Sequence, residues 1–242
     1  TILLAIAFLA SCSAPTEFVI TVIGTNDVHG QLIQTEERGG LVTVSGYVSA
    51  VRNAREQDGG GVLLIDAGDM WQGTLESNLS EGAAVAEAYN ALGYAAAAIG
   101  NHEFDFGPAG PKSIPETAGD DPQGALRQRA LELDFPLLAA NLIDVSTNQR
   151  VDWENVRSSA MVSRAGIDIG IVGVLTTDVL QTTIAANTTG VRIAPLAESI
   201  IAEARSLRAA GAALVVVVAH AGSRCTEFED PLDLSSCDRT GE

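Results

Sequence analysis

The sequence predicts an α/β fold whose functional residues sit at the C-terminal ends of strands, and two observations carry that reading. Between residues 18 and 99, apolar strand-like runs alternate with helical spacings in the order β-α-β-α-β, the signature of a sheet crossed by helices. Four apolar runs are also followed at once by Asp, Asn or His. These are Asn26-Asp27-Val28-His29-Gly30 after residues 20–24, Gly68-Asp69 after 62–65, Gly100-Asn101-His102-Glu103-Phe104-Asp105 after 94–99, and His220 after 214–218. The chain holds three histidines and each follows such a run, which a shared site explains better than three separately satisfied core or surface residues.

Residues 18–24 are rich in β-branched side chains and end at Gly24, which predicts the first strand. Leu41, Val44, Val48 and Val51 recur at helical spacing, so residues 41–55 form a helix that Asp58-Gly59-Gly60-Gly61 stops. Residues 62–67 are a continuous apolar strand of the buried kind, followed by a loop from Gly68 to about Ser80. A helix over 81–92, capped by Gly93, returns the chain to a strand at 94–99. Residues 106–123 contain four of the eight prolines and read as an irregular surface excursion. A helix near 124–133 and a short strand at 137–140 follow, leading into Asn141. The β-like runs 156–162 and 167–175, separated by Arg164-Ala165-Gly166, predict a hairpin. Residues 194–210 form a helix with Pro195 in its first turn, and 213–219 are the strand that delivers His220.

A length of 242 residues and a hydrophobic content of 46% suffice for a substantial core. The net charge of −17, with no basic run, disfavours long nucleic acid, which is held by clustered Lys and Arg; a single nucleotide brought in by metal ions remains compatible. Residues 2–10 are an apolar run too short to span a bilayer, and small residues lead from it to Cys12, as in a signal peptide. Leu9-Ala10-Ser11-Cys12 resembles a bacterial lipoprotein box, with a plain cleaved signal or a buried strand as alternatives. Residues 1–12 are therefore expected to be a signal segment, 13–17 a linker and 18–242 the folded domain. The expected location is extracytoplasmic, in the periplasm or at the cell surface, anchored through a lipidated Cys12. The start at Thr1, without Met or a charged leader, suggests a clipped front end. In an oxidising compartment Cys225 and Cys237 are expected to form a disulfide, worth about 3 kcal/mol for so short a loop.

Carboxylate, imidazole and amide oxygen together suit a borderline divalent ion, Zn²⁺ or Mn²⁺, with Mg²⁺ also compatible. In Asp27-x-His29 both side chains point the same way if the backbone is extended, and one ion fits between them. Asp69 can offer its carboxylate to two ions, with Asn101 and His220 completing the second. Two ions about 3.5–4 Å apart polarise a phosphoryl group and activate water, so a phosphoester is the matching substrate. Singly, Asp27 and Asp69 also fit turn residues, and His220 a buried histidine bonded to backbone. Asp66 reads as a structural carboxylate, Glu103 as a local hydrogen-bonding residue, and Trp71 and Gln72 as a pocket rim, with plain packing the alternative for Trp71. The sequons at Asn78 and Asn187 read as ordinary loop residues. No G-x-S-x-G is present, and residues 107–113 lack the glycine that a P-loop places before its lysine.

The strand-end blocks, together with Gly68-Asp69-Met70-Trp71-Gln72-Gly73, Ala139-Ala140-Asn141-Leu142 and Ala219-His220, resemble the calcineurin-like metallophosphoesterases, specifically their 5′-nucleotidase branch. The resemblance implies two packed β-sheets flanked by helices and two divalent metal ions. It implies that Asp27, His29 and Asp69 hold the first ion, that Asp69 bridges, and that Asn101 and His220 hold the second. His102 resembles the family's catalytic histidine, oriented by Asp105, and stabilises charge on the phosphoryl or leaving group. The implied reaction is removal of phosphate from nucleotides. Alternatives are a cyclic-phosphodiester or nucleotide-sugar hydrolase on the same site, or a non-catalytic surface lipoprotein that keeps the fold. The family's further Gly-His-x-His block and its substrate-binding C-terminal domain are not found before Glu242. The expectation is therefore a fragment of a longer protein that by itself binds metal weakly and turns over slowly.

Overall fold

The structure is a computed structural model and describes residues 17–222, 225–227, 229–230 and 232–237. The expected signal segment and Cys12 lie outside the described residues. In chain order the elements are β1 (Ile20–Thr25), α1 (Gly40–Gln57), β2 (Gly61–Asp66), α2 (Leu75–Asn78), α3 (Ala83–Leu92) and β3 (Ala96–Ala98). After a 3₁₀ turn at His102–Phe104 come α4 (Gly124–Glu132), β4 (Leu137–Leu138), β5 (Leu142–Asp144), β6 (Gln149–Arg150), β7 (Val156–Arg157), β8 (Ser159–Arg164) and β9 (Ile167–Leu175). The chain continues through α5 (Val179–Thr182), a second 3₁₀ turn (Ala185–Thr188), β10 (Val191–Ile193), α6 (Leu196–Ala209) and β11 (Leu214–His220).

Two sheets carry the site. The first is parallel, in the order β1-β2-β3-β4-β7, and the second runs β11-β9-β8 with β11 parallel and β8 antiparallel to β9. Strand periodicity explains how they stack: Leu63 and Ile65 face one way, Leu64 the other. Leu63, Ile65, Ala96, Ala98 and Leu138 meet Ile169, Ile171 and Val218 in a core between the sheets. On the opposite face of the first sheet, Leu64, Ala97 and Leu137 share a core with Val48 of α1, Val85 and Tyr89 of α3, and Leu126 of α4. Val172 and Val174, on the outer face of the second sheet, pack with Leu207 of α6. The layers are thus helix, sheet, sheet, helix, as expected, and each fully buried Leu or Ile contributes about 2 kcal/mol.

Close approach of the layers requires glycine on β9. A Cβ on Gly173 would lie 2.2 Å from the Cβ of Leu138 across the inter-sheet core, and one on Gly170 would lie 2.8 Å from Leu207. The turn between β8 and β9 has positive φ at both Ala165 (49°) and Gly166 (76°), as a tight two-residue hairpin demands. The expected strand at 156–162 proves to be two strands in two sheets. Val156 and Arg157 pair with β4, and the chain crosses at Ser158 into the second sheet. A small antiparallel sheet, β10-β5-β6, and the short helices α2 and α5 have no counterpart in the sequence reading. The expected Cys225–Cys237 disulfide is formed. Among the described residues no helix is long and apolar enough to cross a membrane.

Candidate metal centre

The four strand-end clusters converge because β1, β2 and β3 are parallel neighbours and β11 ends over them from the second sheet. The loop after β1 runs along the loop after β2: the amides of Asp27, His29 and Gly30 donate to the carbonyls of Gly68 (3.0 Å), Asp69 (3.0 Å) and Met70 (2.8 Å). This pairing holds Asp27, His29 and Asp69 at φ of 50°, 49° and 60°. Asp27 and His29 therefore reach one point through left-handed backbone, and the extended backbone expected for them is corrected. Asp and His tolerate that region better than most residues, yet each instance costs on the order of 1 kcal/mol, which the paired loops offset.

Backbone carbonyls aim two of the imidazoles. His29 Nδ1 donates to the Gln72 carbonyl (2.9 Å) and His220 Nδ1 to the Ala67 carbonyl (3.0 Å), so both Nε2 atoms face the cleft. His29 Nε2 lies 3.7 Å from Asp27 Oδ1. His220 Nε2 lies 3.3 Å from Asp69 Oδ2 and 3.1 Å from Asn101 Oδ1. Asp69, only 3% exposed, belongs to both candidate donor groups, His29/Asp69/His102 and Asp27/Asp69/His220, whose donor atoms lie within 4.8 Å of one another. Imidazole fixed through Nδ1 by a carbonyl, with Nε2 presented beside carboxylates, is the arrangement of a metal-ligating histidine, so the donors fit a divalent cation. The two described cysteines are bonded to each other and compete for no metal.

His102 is built differently. Its Nδ1 donates to the Asp105 carboxylate (2.5 Å), its Nε2 stands 4.0 Å from Asp69 Oδ2, and its ring meets that of His29 edge-on at 4.8 Å. The Asp105 hydrogen bond raises the His102 ring above the ordinary histidine range, more than burial lowers it. Burial disfavours the His220 cation, but the Asp69 carboxylate outweighs it and lifts the ring to about 9. Burial likewise pushes the Asp69 carboxyl up, and the His220 ring and the His102 amide overcome that and hold it below the usual range.

Two buried carboxylates lie behind these groups. Glu103, 1% exposed, accepts the amides of Gly100 (2.7 Å), Asp69 (2.9 Å) and Met70 (2.7 Å), and burial raises it to about 7. It therefore ties the loop after β2 to the loop after β3, which is more than the local role expected of it. Asp66, fully buried, accepts from Thr25 Oγ1 (2.5 Å), Tyr89 Oη (2.8 Å) and the Gly68 amide (2.8 Å), and its structural character matches expectation. Trp71 is fully buried in the helix-side core and forms no pocket rim, while Gln72 contributes only its carbonyl. Asn187 of the second sequon, read as an ordinary loop residue, instead lies fully buried in the second 3₁₀ turn, where its side-chain amide donates to three carbonyls.

Of the seven predicted site residues, Asp27, Asn101 and His220 line one cleft of about 550 Å³, and Asp69, His29, His102 and Asp105 join them through the contacts just given. The cleft wall also includes Thr176, Asp178 and Thr182, and Thr183 bonds Asp105 just behind it. No sequence signal marked these four, because the segment between β9 and β10 carries no motif.

No family model matches this chain. It is 34% identical over 162 residues to protein UshA of Salmonella pullorum, covering 66% of this chain and 26% of that protein. It is 30% identical over 182 residues to a 5′-nucleotidase of Vibrio parahaemolyticus, covering 72% and 29% respectively. A 5′-nucleotidase precursor from Thermus thermophilus shares the fold with a TM-score of 0.64 at 28% identity, over 83% of this chain and 36% of that one. The chain thus spans between a quarter and three tenths of the length of these curated relatives. Sequence identity of this extent, with a common fold, shows that the chain belongs to the metallophosphoesterase part of the 5′-nucleotidase family.

Proposed function

We propose that this chain carries the hydrolytic centre of a nucleotide phosphatase that uses two divalent ions, Zn²⁺ or Mn²⁺. The observation that carries the reading is the Asp69 carboxylate, common to two donor groups and faced by His102, which Asp105 holds. Asp27, His29 and Asp69 would hold one ion, and Asp69, Asn101 and His220 the other. When bound, such ions supply a water nucleophile near neutral pH and offset charge on the phosphoryl group. His102 takes a different part because its Nδ1 partner is a carboxylate, whereas those of His29 and His220 are carbonyls. A carboxylate favours the protonated ring, so His102 Nε2 keeps a proton to donate to a phosphoryl oxygen or to the departing oxygen. Nucleotides are the substrate class because relatives of this chain are named 5′-nucleotidases. The disulfide supports an extracytoplasmic site of action, with anchoring through a lipidated Cys12 as part of the proposal.

The test uses the full-length protein, with bound metal measured alongside phosphate release from AMP, opening of a cyclic phosphodiester to its monoester, and cleavage of a nucleotide sugar to its nucleoside monophosphate. Asp69→Asn is expected to lose metal and activity together. His102→Asn is expected to keep its metal while the rate falls by about 10²–10⁴. Near-wild-type release of phosphate in Asp69→Asn would overturn the assignment.

A further inference from the structure

The segment between β9 and β10 supplies none of the proposed metal ligands, yet it reaches the residue that holds His102. Thr183 Oγ1 donates to Asp105 Oδ1 at 2.7 Å, while Asp105 Oδ2 accepts from His102 Nδ1. Both carboxylate oxygens of Asp105 are thereby engaged. Free rotation of that carboxylate would swing the acceptor away from Nδ1, and the Thr183 hydroxyl opposes the rotation. One residue earlier, the Thr182 carbonyl lies 3.5 Å from Asn101 Nδ2, so the same segment favours turning Asn101 Oδ1 toward His220.

Thr183 is delivered by a segment anchored on both sides. On one side Val179 is fully buried in the helix-side core. On the other, fully buried Asn187 donates from Nδ2 to the carbonyls of Phe104 (3.0 Å), Asp105 (3.2 Å) and Ser113 (3.0 Å). Gln123 Nε2 in turn holds the carbonyls of Asn187 (2.7 Å) and Thr189 (3.1 Å). Asn187 thus grips the backbone of the residue whose side chain Thr183 holds. Gly107 leaves room for this, since a Cβ there would lie 2.8 Å from Asn187 Oδ1. Two independent contacts on Asp105, one to backbone and one to side chain, make the segment a strap across the His102 support.

We propose that Thr183 is a positioning residue that orients His102 by fixing the Asp105 carboxylate. The inference rests on the hydrolytic reading above for its kinetic consequence, and on geometry alone for its structural one. Thr183→Val keeps the shape and removes the donor; Thr183→Ser keeps the donor. In the full-length protein loaded with Mn²⁺, Thr183→Val is expected to lower kcat for AMP about tenfold, the loss of one hydrogen bond, with KM and bound metal unchanged, and Thr183→Ser to restore it. Separately, NMR of the metal-free protein follows the ring N–H protons of the three histidines, with His102→Asn identifying the His102 signal. In Thr183→Val the His102 Nδ1 proton is expected to exchange with water about tenfold faster, and in Thr183→Ser at the wild-type rate. A His102 signal unchanged in Thr183→Val overturns the inference, whatever the kinetics. A changed signal in a protein whose wild type releases no phosphate leaves the positioning role standing and overturns the hydrolytic reading instead.

Discussion

Replacing Glu103 tests whether one buried carboxylate holds the two site loops together. Glu103→Leu keeps roughly the same bulk and removes every acceptor, which orphans the amides of Gly100, Asp69 and Met70. A buried unsatisfied donor costs about 1–3 kcal/mol, so three cost on the order of 6 kcal/mol. An opposing effect depends on pH. Burial lifts Glu103 from its ordinary 4.5 to about 7, so the folded protein keeps a proton that the unfolded chain loses between those values. Stability contributed by this group is therefore full below about 4.5 and falls as pH rises to 7, by on the order of 3 kcal/mol in all. Leucine abolishes that loss. The predicted penalty of Glu103→Leu is thus about 6 kcal/mol near pH 4.5 and about half as much at pH 8, from the two terms just given. Urea titrations followed by circular dichroism at both pH values measure it. Glu103→Gln, which keeps an oxygen for two of the three amides, is the milder companion, at about 1–3 kcal/mol. A penalty below about 1 kcal/mol for leucine at the lower pH, or one that grows with pH, would refute the reasoning.

Asp66 gives a second pH-dependent outcome. Burial raises it to about 7, so its contribution to stability is also lost as pH rises from about 4 to 7. Asp66→Asn removes the titration, and the hydroxyls of Thr25 and Tyr89 can turn to accept from the new amide. The variant should gain stability relative to wild type as pH rises over that window; a constant difference between the two melting temperatures from pH 4 to 8 would contradict this. Gly100→Ala tests the approach of the loops directly. Its Cβ would lie 2.2 Å from Asp69 Oδ1, so Mn²⁺ affinity by calorimetry should fall by about 10–100-fold with the fold retained, and an unchanged affinity would show that Asp69 has room to move.

Much of this centre was readable along the chain. Apolar runs ended by Gly and then Asp, Asn or His marked β1, β2, β3 and β11 and named every residue of the two candidate donor groups, because strand ends are where a parallel sheet can present polar groups. Boundaries were less legible. The continuous β-like run around Ser158 concealed a crossing between sheets, since periodicity does not say which neighbour a strand pairs with. Trp71 lies beside site residues in sequence but points into the helix-side core, a matter of which face of its loop is covered. Glu103 could be seen as a carboxylate beside His102, but two of its three amide partners lie in a loop more than thirty residues earlier.

By itself the sequence determined the α/β class and the metal-type donor chemistry, because each depends on residue type and short spacing, while the pairing of His102 with Asp105 followed from the family resemblance. Three things were decided only by tertiary structure. The left-handed backbone at Asp27, His29 and Asp69 is imposed by the hydrogen bonds between two loops that parallel pairing brings together. The aim of His29 and His220 comes from carbonyls 43 and 153 residues away in the chain. The support of Asp105 by Thr183 spans 78 residues and exists only because Val179 and Asn187 are buried on either side of it. Donor identity is a local property, whereas the direction in which a donor points is set by whatever packs against it.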